Sequence, residues 1–307
     1  MTRSEFVESC KSLTEEQLHK IALELREGAG SRIPPQVAAM FRSLDDSTSV
    51  EEIYTETAWG KSHVYIVRRT EQTERKLPIF VNVHGGGWCL DHTERDIYFS
   101  RRMAVATGCL VVDVDYVLAP EYPYPAAIEE IEALLDKLPE LAETYGGDID
   151  KVILCGQSAG GNLLGAVTQR KRYTGRVNIL AQILCYLPAD NYNDHFNGQE
   201  LDERGKSTEY YGFFYNRDFE ERKNHDVSLV MADMDELKGV PVTDIVTAGQ
   251  DNLMPEGRKY YEMLTEAGVK TSYKCFENSR HGFLVNLYDE WREGEDYVVK
   301  LVLNYLD

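Results

Sequence analysis

One serine stands among glycines in the stretch VILCGQSAGGNLLG, residues 152–165. Apolar runs flank it on both sides, which is the pattern of a strand that turns sharply into a helix. Gly156, Ser158 and Gly160 fit the spacing G-x-S-x-G, whose small residues permit a tight turn that exposes the serine hydroxyl. The free N–H groups of the new helix would face an anion formed there. Ser158 is therefore the candidate nucleophile; the alternative is an ordinary tight turn.

Three consecutive glycines follow another apolar run, in VNVHGGGWC at residues 81–89. Without side chains, the backbone amides of Gly85 and Gly86 can approach a bound group closely. Together with the amide of Ala159, directly after the candidate nucleophile, they would form an oxyanion hole that stabilises a tetrahedral intermediate. A loop that merely ends a strand is the alternative, and the presence of the G-x-S-x-G motif makes it the weaker explanation.

A nucleophilic serine needs a base to accept its proton and an acid to orient that base. Asp251 follows the apolar run TDIVTAG, and His281 follows the run TSYKCFE. In this class of active site the three groups occur along the chain in the order Ser, Asp, His. The sequence therefore predicts a catalytic triad of Ser158, Asp251 and His281. Asp244, at the start of a strand, and Glu256, at the start of a helix, are weaker candidates for the acid.

Strand-like and helix-like segments alternate along most of the chain, and they must position these groups. Strands are predicted at 51–59, 63–69, 77–84, 110–116, 151–156, 179–186, 243–249 and 271–277. Helices are predicted at 95–107, 125–144, 159–173, 256–267 and 288–306. This alternation predicts an α/β fold with a mostly parallel sheet flanked by helices on both faces. The first two strands have no helix between them, so we expect an antiparallel start.

The chain resembles the hormone-sensitive-lipase-like esterases, which are α/β-hydrolases with an HGGG loop. The resemblance covers roughly residues 75–305 and rests on the segments 84–88, 115–127, 156–163, 226–257 and 281–283. It implies the α/β-hydrolase fold and hydrolysis of carboxylic esters through an acyl-enzyme, without a cofactor. The family commonly has an acid where this chain has Gln157, so the rate and pH optimum could differ while the role of Ser158 stays the same.

Two segments are expected to form a cap over the candidate triad. Residues 1–45 would contribute N-terminal cap helices, predicted as two helices broken at about 27–35. Residues 46–307 would form the catalytic domain, with a polar and aromatic cap insertion at about 188–225. Ligands bind at the carboxyl ends of the strands in open α/β sheets, so both segments would lie over the ligand.

Aromatic residues beside the glycine loop and in the insertion are candidates for substrate binding. The candidates are Trp88, Tyr210, Tyr211 and Phe214, with Tyr192, Phe196, Phe213 and Tyr215 as further ones. The alternative, and the commoner role, is that such rings pack a cap onto its domain. The cap segments carry many acids and amides and no long apolar stretch, which favours small soluble esters with short acyl groups, such as acetyl, over aggregated lipid.

Composition excludes several classes of partner. The 307 residues carry a formal net charge of −19, which argues against nucleic acid or an anionic membrane surface. No apolar run has the length of a membrane span, and the N-terminus lacks the apolar core of a signal peptide. The six cysteines are scattered and the seven histidines show no metal-binding spacing. We therefore expect a cytoplasmic protein with neither metal nor cofactor; a homodimer would be common for the family.

Two other functions could use the same residues. One is an amidase or peptidase with the same triad, which would favour a cap site for a charged amine. The other is a non-catalytic ligand receptor with a hydrolase-like fold. Such receptors tend to lose a member of the triad, whereas this sequence has candidates for all three.

Overall fold

An eight-stranded sheet forms the centre of the computed structural model, which describes residues 1–29, 35–71, 75–171, 177–194 and 198–307. The strands are β1 (Thr48–Glu56), β2 (Lys61–Arg69), β3 (Leu77–Val83), β4 (Leu110–Asp115), β5 (Gly147–Gln157), β6 (Ile179–Cys185), β7 (Thr243–Ala248) and β8 (Thr271–Phe276). Their order across the sheet is β1-β2-β4-β3-β5-β6-β7-β8. Strand β2 is antiparallel to β1 and β4, and the remaining pairs are parallel. The predicted α/β fold with an antiparallel start is confirmed.

Helices cover both faces of this sheet. They are α1 (Arg3–Cys10), α2 (Glu15–Ala29), α3 (Pro35–Ser47), α4 (Glu94–Thr107), α5 (Ala126–Tyr145), α6 (Ala159–Arg170), α7 (Glu203–Tyr215), α8 (Met234–Leu237), α9 (Met254–Glu266), α10 (Phe283–Asn286) and α11 (Trp291–Leu306). The sequence did not predict α1 or α7, and the single helix expected at 288–306 is instead preceded by the separate α10. Within the described ranges, no helix is both long and apolar enough to cross a membrane.

Alternate residues of the central strands enter two separate cores. Val81 of β3 packs with the side chains of α5, α6 and α9, whereas its neighbour Phe80 packs with those of α4 and α11. Leu154 and Ile153 of β5 divide in the same way. Since successive side chains of a strand point to opposite faces, a sheet covered on both faces needs an almost continuous apolar run, as the sequence has here.

A row of polar side chains interrupts the second core at the carboxyl end of the sheet. Asn82 of β3 donates from Nδ2 to Oδ1 of Asp113 on β4 at 2.8 Å, and Gln157 of β5 donates from Nε2 to Oδ1 of Asn82 at 2.9 Å. Nε2 of His92 lies 3.1 Å from Oδ2 of Asp113. All four residues are buried apart from a small part of His92. This row fixes the end of β5 immediately before Ser158.

The turn between β5 and α6 has no room for side chains. A Cβ added to Gly156 would lie 2.6 Å from the carbonyl carbon of Gly160. A Cβ added to Gly160 would lie 2.5 Å from the carbonyl oxygen of His84 and nearer still to that of Val83. Only glycine fits at these two positions, so the start of α6 packs directly against the end of β3.

The N-terminal helices and the insertion share an apolar cluster with two loops of the main domain. Its members are Phe6 and Cys10 of α1, Leu18 and Ala22 of α2, Leu201, Phe213 and Phe214 of the insertion, and Cys89 and Ala119 of the loops after β3 and β4. The two segments therefore pack on each other and on the loops that follow two central strands.

Replacing Gly160 by alanine should destabilise the protein, because the added methyl group has no space. We expect the free energy of unfolding to fall by about 1–3 kcal/mol, the usual cost of overpacking a core. Gly28→Ala is the matched control, since Gly28 lies in α2 with nothing within 4 Å of an added Cβ; there a gain of roughly 0.5–1 kcal/mol is expected. Urea unfolding of both variants measures this, and equal stability would contradict the steric argument.

The pair of His92 and Asp113 should make the stability depend on pH. Burial lowers the pKa of His92, but the Asp113 carboxylate, helped by Asp96 and Asp115, outweighs burial and raises that pKa to about 9. An unfolded histidine titrates near about 6.5, so the stabilisation is complete below that pH and is lost as the pH rises through about 9. We therefore expect the wild type to have a higher free energy of unfolding than His92→Gln, with the largest difference at about pH 6. This difference should shrink by up to about 3 kcal/mol by about pH 10. A difference independent of pH would show that His92 is not charged.

Candidate active site

Ser158 occupies a strained backbone conformation at the sharp turn into α6. Its φ of 51° and ψ of −120° are unusual for a residue with a side chain. The neighbouring strand holds it there, since its N–H donates to the carbonyl oxygen of Cys185 at 2.8 Å. Its own carbonyl oxygen accepts from the amides of Gly161 and Asn162 in the first turn of the helix. The turn therefore has the geometry that the G-x-S-x-G spacing predicted.

The three predicted triad residues lie in one hydrogen-bonded chain. Nε2 of His281 is 2.8 Å from Oγ of Ser158, and Nδ1 of His281 is 2.6 Å from Oδ2 of Asp251. Asp251 lies in the loop after β7 and His281 in the loop after β8, so the parallel strands bring both to the same edge of the sheet. Such a chain can move a proton from the serine hydroxyl to the imidazole while the carboxylate fixes the tautomer. The weaker acid candidates Asp244 and Glu256 bond to other partners.

Burial differs along this chain in the way that proton transfer requires. The Asp251 side chain is only 1% exposed, whereas that of His281 is 25% exposed. Oδ1 of Asp251 accepts from the amide of Leu253 at 3.2 Å, which holds the carboxylate in place. The hydroxyl of Tyr288 donates to the carbonyl oxygen of His281. The ring of Tyr186 packs against the imidazole, with 5.3 Å between the two ring centroids. The base is therefore fixed on one side and open to the cavity on the other.

The glycine loop lies directly against the turn that carries Ser158. A Cβ added to Gly85 would be 3.2 Å from Cβ of Ser158, so the two backbones are in close contact. No hydrogen bond to any described residue uses the amides of Gly85, Gly86 or Ala159. Gly86 has a φ of 117° and Gly87 a φ of 58°, conformations that favour glycine. The predicted oxyanion donors therefore lie next to the serine with their hydrogens unused, as this chemistry requires.

His84 supports the glycine loop from within the protein. Its Nδ1 lies 2.6 Å from the carbonyl oxygen of Gly85, and its ring stacks on Tyr116 at 4.3 Å. The hydroxyl of Tyr116 donates to the carbonyl oxygen of His84 at 3.2 Å. Complete burial, reinforced by the nearby His92, lowers the pKa of His84, which keeps the ring neutral. A neutral ring protonated on Nδ1 can donate to Gly85, and this bond orients the adjacent peptide.

A cavity of about 820 Å³ opens above these groups. Of the predicted substrate-binding residues, Trp88 and Tyr211 line it, whereas Tyr210 and Phe214 do not. Phe214 is fully buried, and its ring stacks with that of Tyr210, which packs in turn against Phe6. Tyr210 and Phe214 instead pack α7 against α1, so the structure does not bring these two predicted substrate-binding residues to the cavity. Of the further candidates, Phe196 lies outside the described residues.

Trp88 and Tyr211 shape the cavity wall next to the glycine loop. The Trp88 indole stacks on Tyr215 at 4.5 Å, and its Nε1 donates to Oδ1 of Asn162 at 3.3 Å. Tyr211 packs closely against the glycine loop. A Cβ added to Gly87 would lie 2.8 Å from the Cβ of Tyr211. Tyr211 therefore contacts the glycine loop, and both rings line the cavity. In the described parts of the chain, no group of three or more His, Cys, Asp and Glu residues is placed to hold a metal ion.

Charged residues on the cavity wall were missed by sequence reasoning. Arg3, Glu209 and Arg222 all line the cavity. Arg3 belongs to α1, which the sequence did not predict, and the other two lie in an insertion with no clear periodicity. No local signal could have found them, since they meet only through tertiary packing. Asn82 and Asp113 did carry a signal, as single polar residues inside the apolar runs VNVH and VVDVD.

Comparisons with known proteins agree with this geometry. A family model described as the alpha/beta hydrolase fold matches residues 80–285. The carboxylesterase NlhH of Mycobacterium tuberculosis is 32% identical over 214 residues, covering 68% of this chain and 67% of the relative. The acetyl esterase of Salmonella paratyphi A is 28% identical over 208 residues, covering 66% of this chain and 64% of the relative.

A solved structure has the same fold over nearly the whole length. The hyperthermophilic esterase from the archaeon Pyrobaculum calidifontis matches with a TM-score of 0.75 and 25% identity, covering 98% of this chain and 96% of the other. The family model spans more than half of the chain, and the mycobacterial relative is similar over two thirds of it. The chain therefore belongs to the α/β-hydrolase family, among its hormone-sensitive-lipase-like carboxylesterases.

Proposed function

We propose that this carboxylesterase hydrolyses small esters with short acyl groups through a covalent acyl-enzyme. The observation that carries the proposal is the hydrogen-bonded chain from Asp251 through His281 to Ser158. In this proposal Ser158 is the nucleophile, His281 the general base and acid, and Asp251 the group that orients the imidazole. The hydrogen bonds among these three residues support an enzyme over the receptor alternative.

The first half of the reaction acylates the serine. His281 Nε2 accepts the hydroxyl proton as Oγ of Ser158 bonds to the ester carbonyl carbon, and the π electrons move to the carbonyl oxygen. The tetrahedral intermediate then collapses, its carbon–oxygen bond to the alcohol breaks, and His281 returns the proton to the leaving alkoxide. The alcohol departs and the acyl group stays on Ser158.

The second half repeats these steps with water. His281 accepts a proton from water, the hydroxide oxygen bonds to the acyl carbon, and the bond to Oγ breaks as Ser158 regains its proton. Both intermediates carry a negative oxygen, which we place on the free amides of Gly85, Gly86 and Ala159. One such donor contributes roughly 3–4 kcal/mol to lowering the barrier.

The size and polarity of the cavity support a small substrate. Its volume of about 820 Å³ is at the scale of small-molecule pockets. Many polar and charged side chains line it together with Trp88 and Tyr211, which supports a small ester with polar groups over aggregated lipid. The related acetyl esterase of Salmonella paratyphi A adds support for a short acyl group.

We further propose that residues 1–45 and the insertion at about 188–225 act together as a cap on the catalytic domain, residues 46–307. Their shared apolar cluster supports this division, since Phe6 and Leu18 of the first segment pack with Phe213 and Phe214 of the second.

The six cysteines are free thiols, which supports a reducing compartment such as the cytoplasm. A homodimer also remains a prediction.

Replacing Ser158 by alanine should abolish hydrolysis, because the proposed acyl-enzyme forms on the Ser158 hydroxyl. We expect a loss of at least about 10⁴-fold in kcat on p-nitrophenyl acetate. The wild type should lose kcat/KM as the acyl chain of the p-nitrophenyl ester lengthens. The matched control is Ser207→Ala, at the cavity wall, whose hydroxyl donates only to the carbonyl oxygen of Glu203; it should keep near wild-type rates. Undiminished turnover by a folded Ser158→Ala protein would reject the mechanism.

Gln157→Glu should make the protein less stable as the pH rises. The Asn82 amide donates to Asp113, so its oxygen must accept a hydrogen from residue 157, and an ionised carboxylate has none to give. The new carboxyl should therefore stay protonated, with a folded pKa above its unfolded value of about 4.3. Its penalty in unfolding free energy should grow from that pH upwards until the folded pKa is passed.

Denaturant unfolding across the acidic and neutral range measures this penalty. Gln17→Glu is the matched control, because the exposed Gln17 accepts from the Thr14 amide through Oε1, and a carboxylate accepts equally well. That control should show no growing penalty. A Gln157→Glu protein as stable as the wild type at neutral pH would mean that the Asn82 amide is free to turn over.

A further inference from the structure

Arg222 is a buried cation on the cavity wall with unused hydrogen-bond donors. It is only 1% exposed, yet it lines the same cavity as Ser158. Its Nε donates to the carbonyl oxygen of Asn216 at 3.0 Å. Neither of its terminal nitrogens has a hydrogen-bond partner among the described residues, and Nη2 is fully buried. The guanidinium therefore lies at the cavity wall with donors that no described residue uses.

Glu209, whose charge acts on Arg222, is already engaged by a second arginine. Nε of Arg3 lies 2.7 Å from Oε1 of Glu209, and both side chains are 7% exposed. Arg3 is otherwise satisfied, because its terminal nitrogens donate to the carbonyl oxygens of Tyr192 and Asn191. The trio of Arg3, Glu209 and Arg222 thus holds two cations and one anion in a buried place. One positive charge is left in excess.

Four of the other acids on the cavity wall are engaged by hydrogen bonds to other groups. Asp251 pairs with His281, and Asp96 accepts from the amide and hydroxyl of Thr93. Asp190 accepts from the amides of Tyr192 and Asn193. Glu256 accepts from the amides of Ala189 and Asp190 through Oε2, and burial raises its pKa well above the usual range, which keeps it neutral.

A buried charge without a partner is costly, so its natural complement is a ligand of opposite charge. The guanidinium plane matches a carboxylate, which can accept two parallel hydrogen bonds. The single excess charge suits a monoanion better than a phosphate, whose second charge would remain buried and unpaired. Burial lowers the pKa of Arg222 to about 10, which leaves it protonated at neutral pH.

We propose that Arg222, with Arg3 and Glu209 beside it, binds a carboxylate of the substrate, so that the preferred substrates are short esters that carry a carboxylate in their acid or alcohol part. This inference rests on the proposed function, because it places the carboxylate and the ester in one cavity. Arg222 is a specificity residue in this scheme and takes no part in the proton transfers at Ser158.

The test compares charged with neutral esters of similar shape. For the acid part, the pair is mono-p-nitrophenyl succinate and p-nitrophenyl butyrate; for the alcohol part, it is 4-acetoxybenzoate and its methyl ester. We expect the wild type to show a kcat/KM about tenfold or more higher for the charged member of one pair. The pair that shows the preference identifies the side of the ester that bears the carboxylate.

Variants then assign this preference to Arg222. Arg222→Gln should lower the charged-to-neutral ratio by about tenfold or more, and Arg222→Lys should retain part of it. The ratio within one variant cancels any loss of active protein. Arg217→Gln is the matched control in the same insertion, since Arg217 pairs with Glu15 at the surface, and it should keep the wild-type ratio.

The outcomes separate this inference from the proposed function. A wild type that hydrolyses neutral esters through Ser158 but does not prefer the charged ones would overturn the carboxylate site alone. A preference that survives in Arg222→Gln would also overturn it. A folded wild type that hydrolyses no ester in either pair would overturn both. If Arg222→Gln fails to fold, the wild-type ratio and Arg222→Lys still decide.

Discussion

The whole site depends on one steric constraint, the tight turn between β5 and α6. Ser158 can hold a positive φ there only because Gly156 and Gly160 leave room for backbone on both sides. The same absence of side chains lets α6 press against the end of β3, which brings the glycine loop into contact with the serine. The proposed nucleophile and the proposed oxyanion donors are thus positioned by a single packing contact, and a methyl group at Gly160 would disturb both at once.

Hydrogen-bond direction explains why a neutral amide stands before the nucleophile. Asp113 receives hydrogens from Asn82 and His92, and Asn82 therefore turns its oxygen towards residue 157. Gln157 supplies the hydrogen that this oxygen needs, which an ionised acid could not do. The sequence alone suggested a change in charge beside Ser158 and hence in pH optimum. The structure ties the residue to its neighbours on β3 and β4, so its identity is linked to theirs.

Sequence reasoning was strongest where the signal is local. Apolar runs predicted all eight strands. Motif spacing placed Ser158, Asp251 and His281 directly after three of them, and these residues meet because parallel strands align their carboxyl ends. It was weakest in the cap, where α1 and α7 are stabilised by each other instead of by strong periodicity. Aromatic type alone could not tell Tyr211, on the cavity wall, from Phe214, in the cluster beneath it.

The proposed reacting groups and the charged residues on the cavity wall lie on different parts of the fold. The reacting groups stand on loops of the rigid sheet, whereas Arg3 and Arg222 come from α1 and the insertion, far apart in sequence. Charge selectivity in the cap can therefore change without disturbing the geometry at Ser158. In this proposal Arg222 favours an ester whose anionic group can accept its free hydrogens, and an alkyl chain of the same size cannot replace that group.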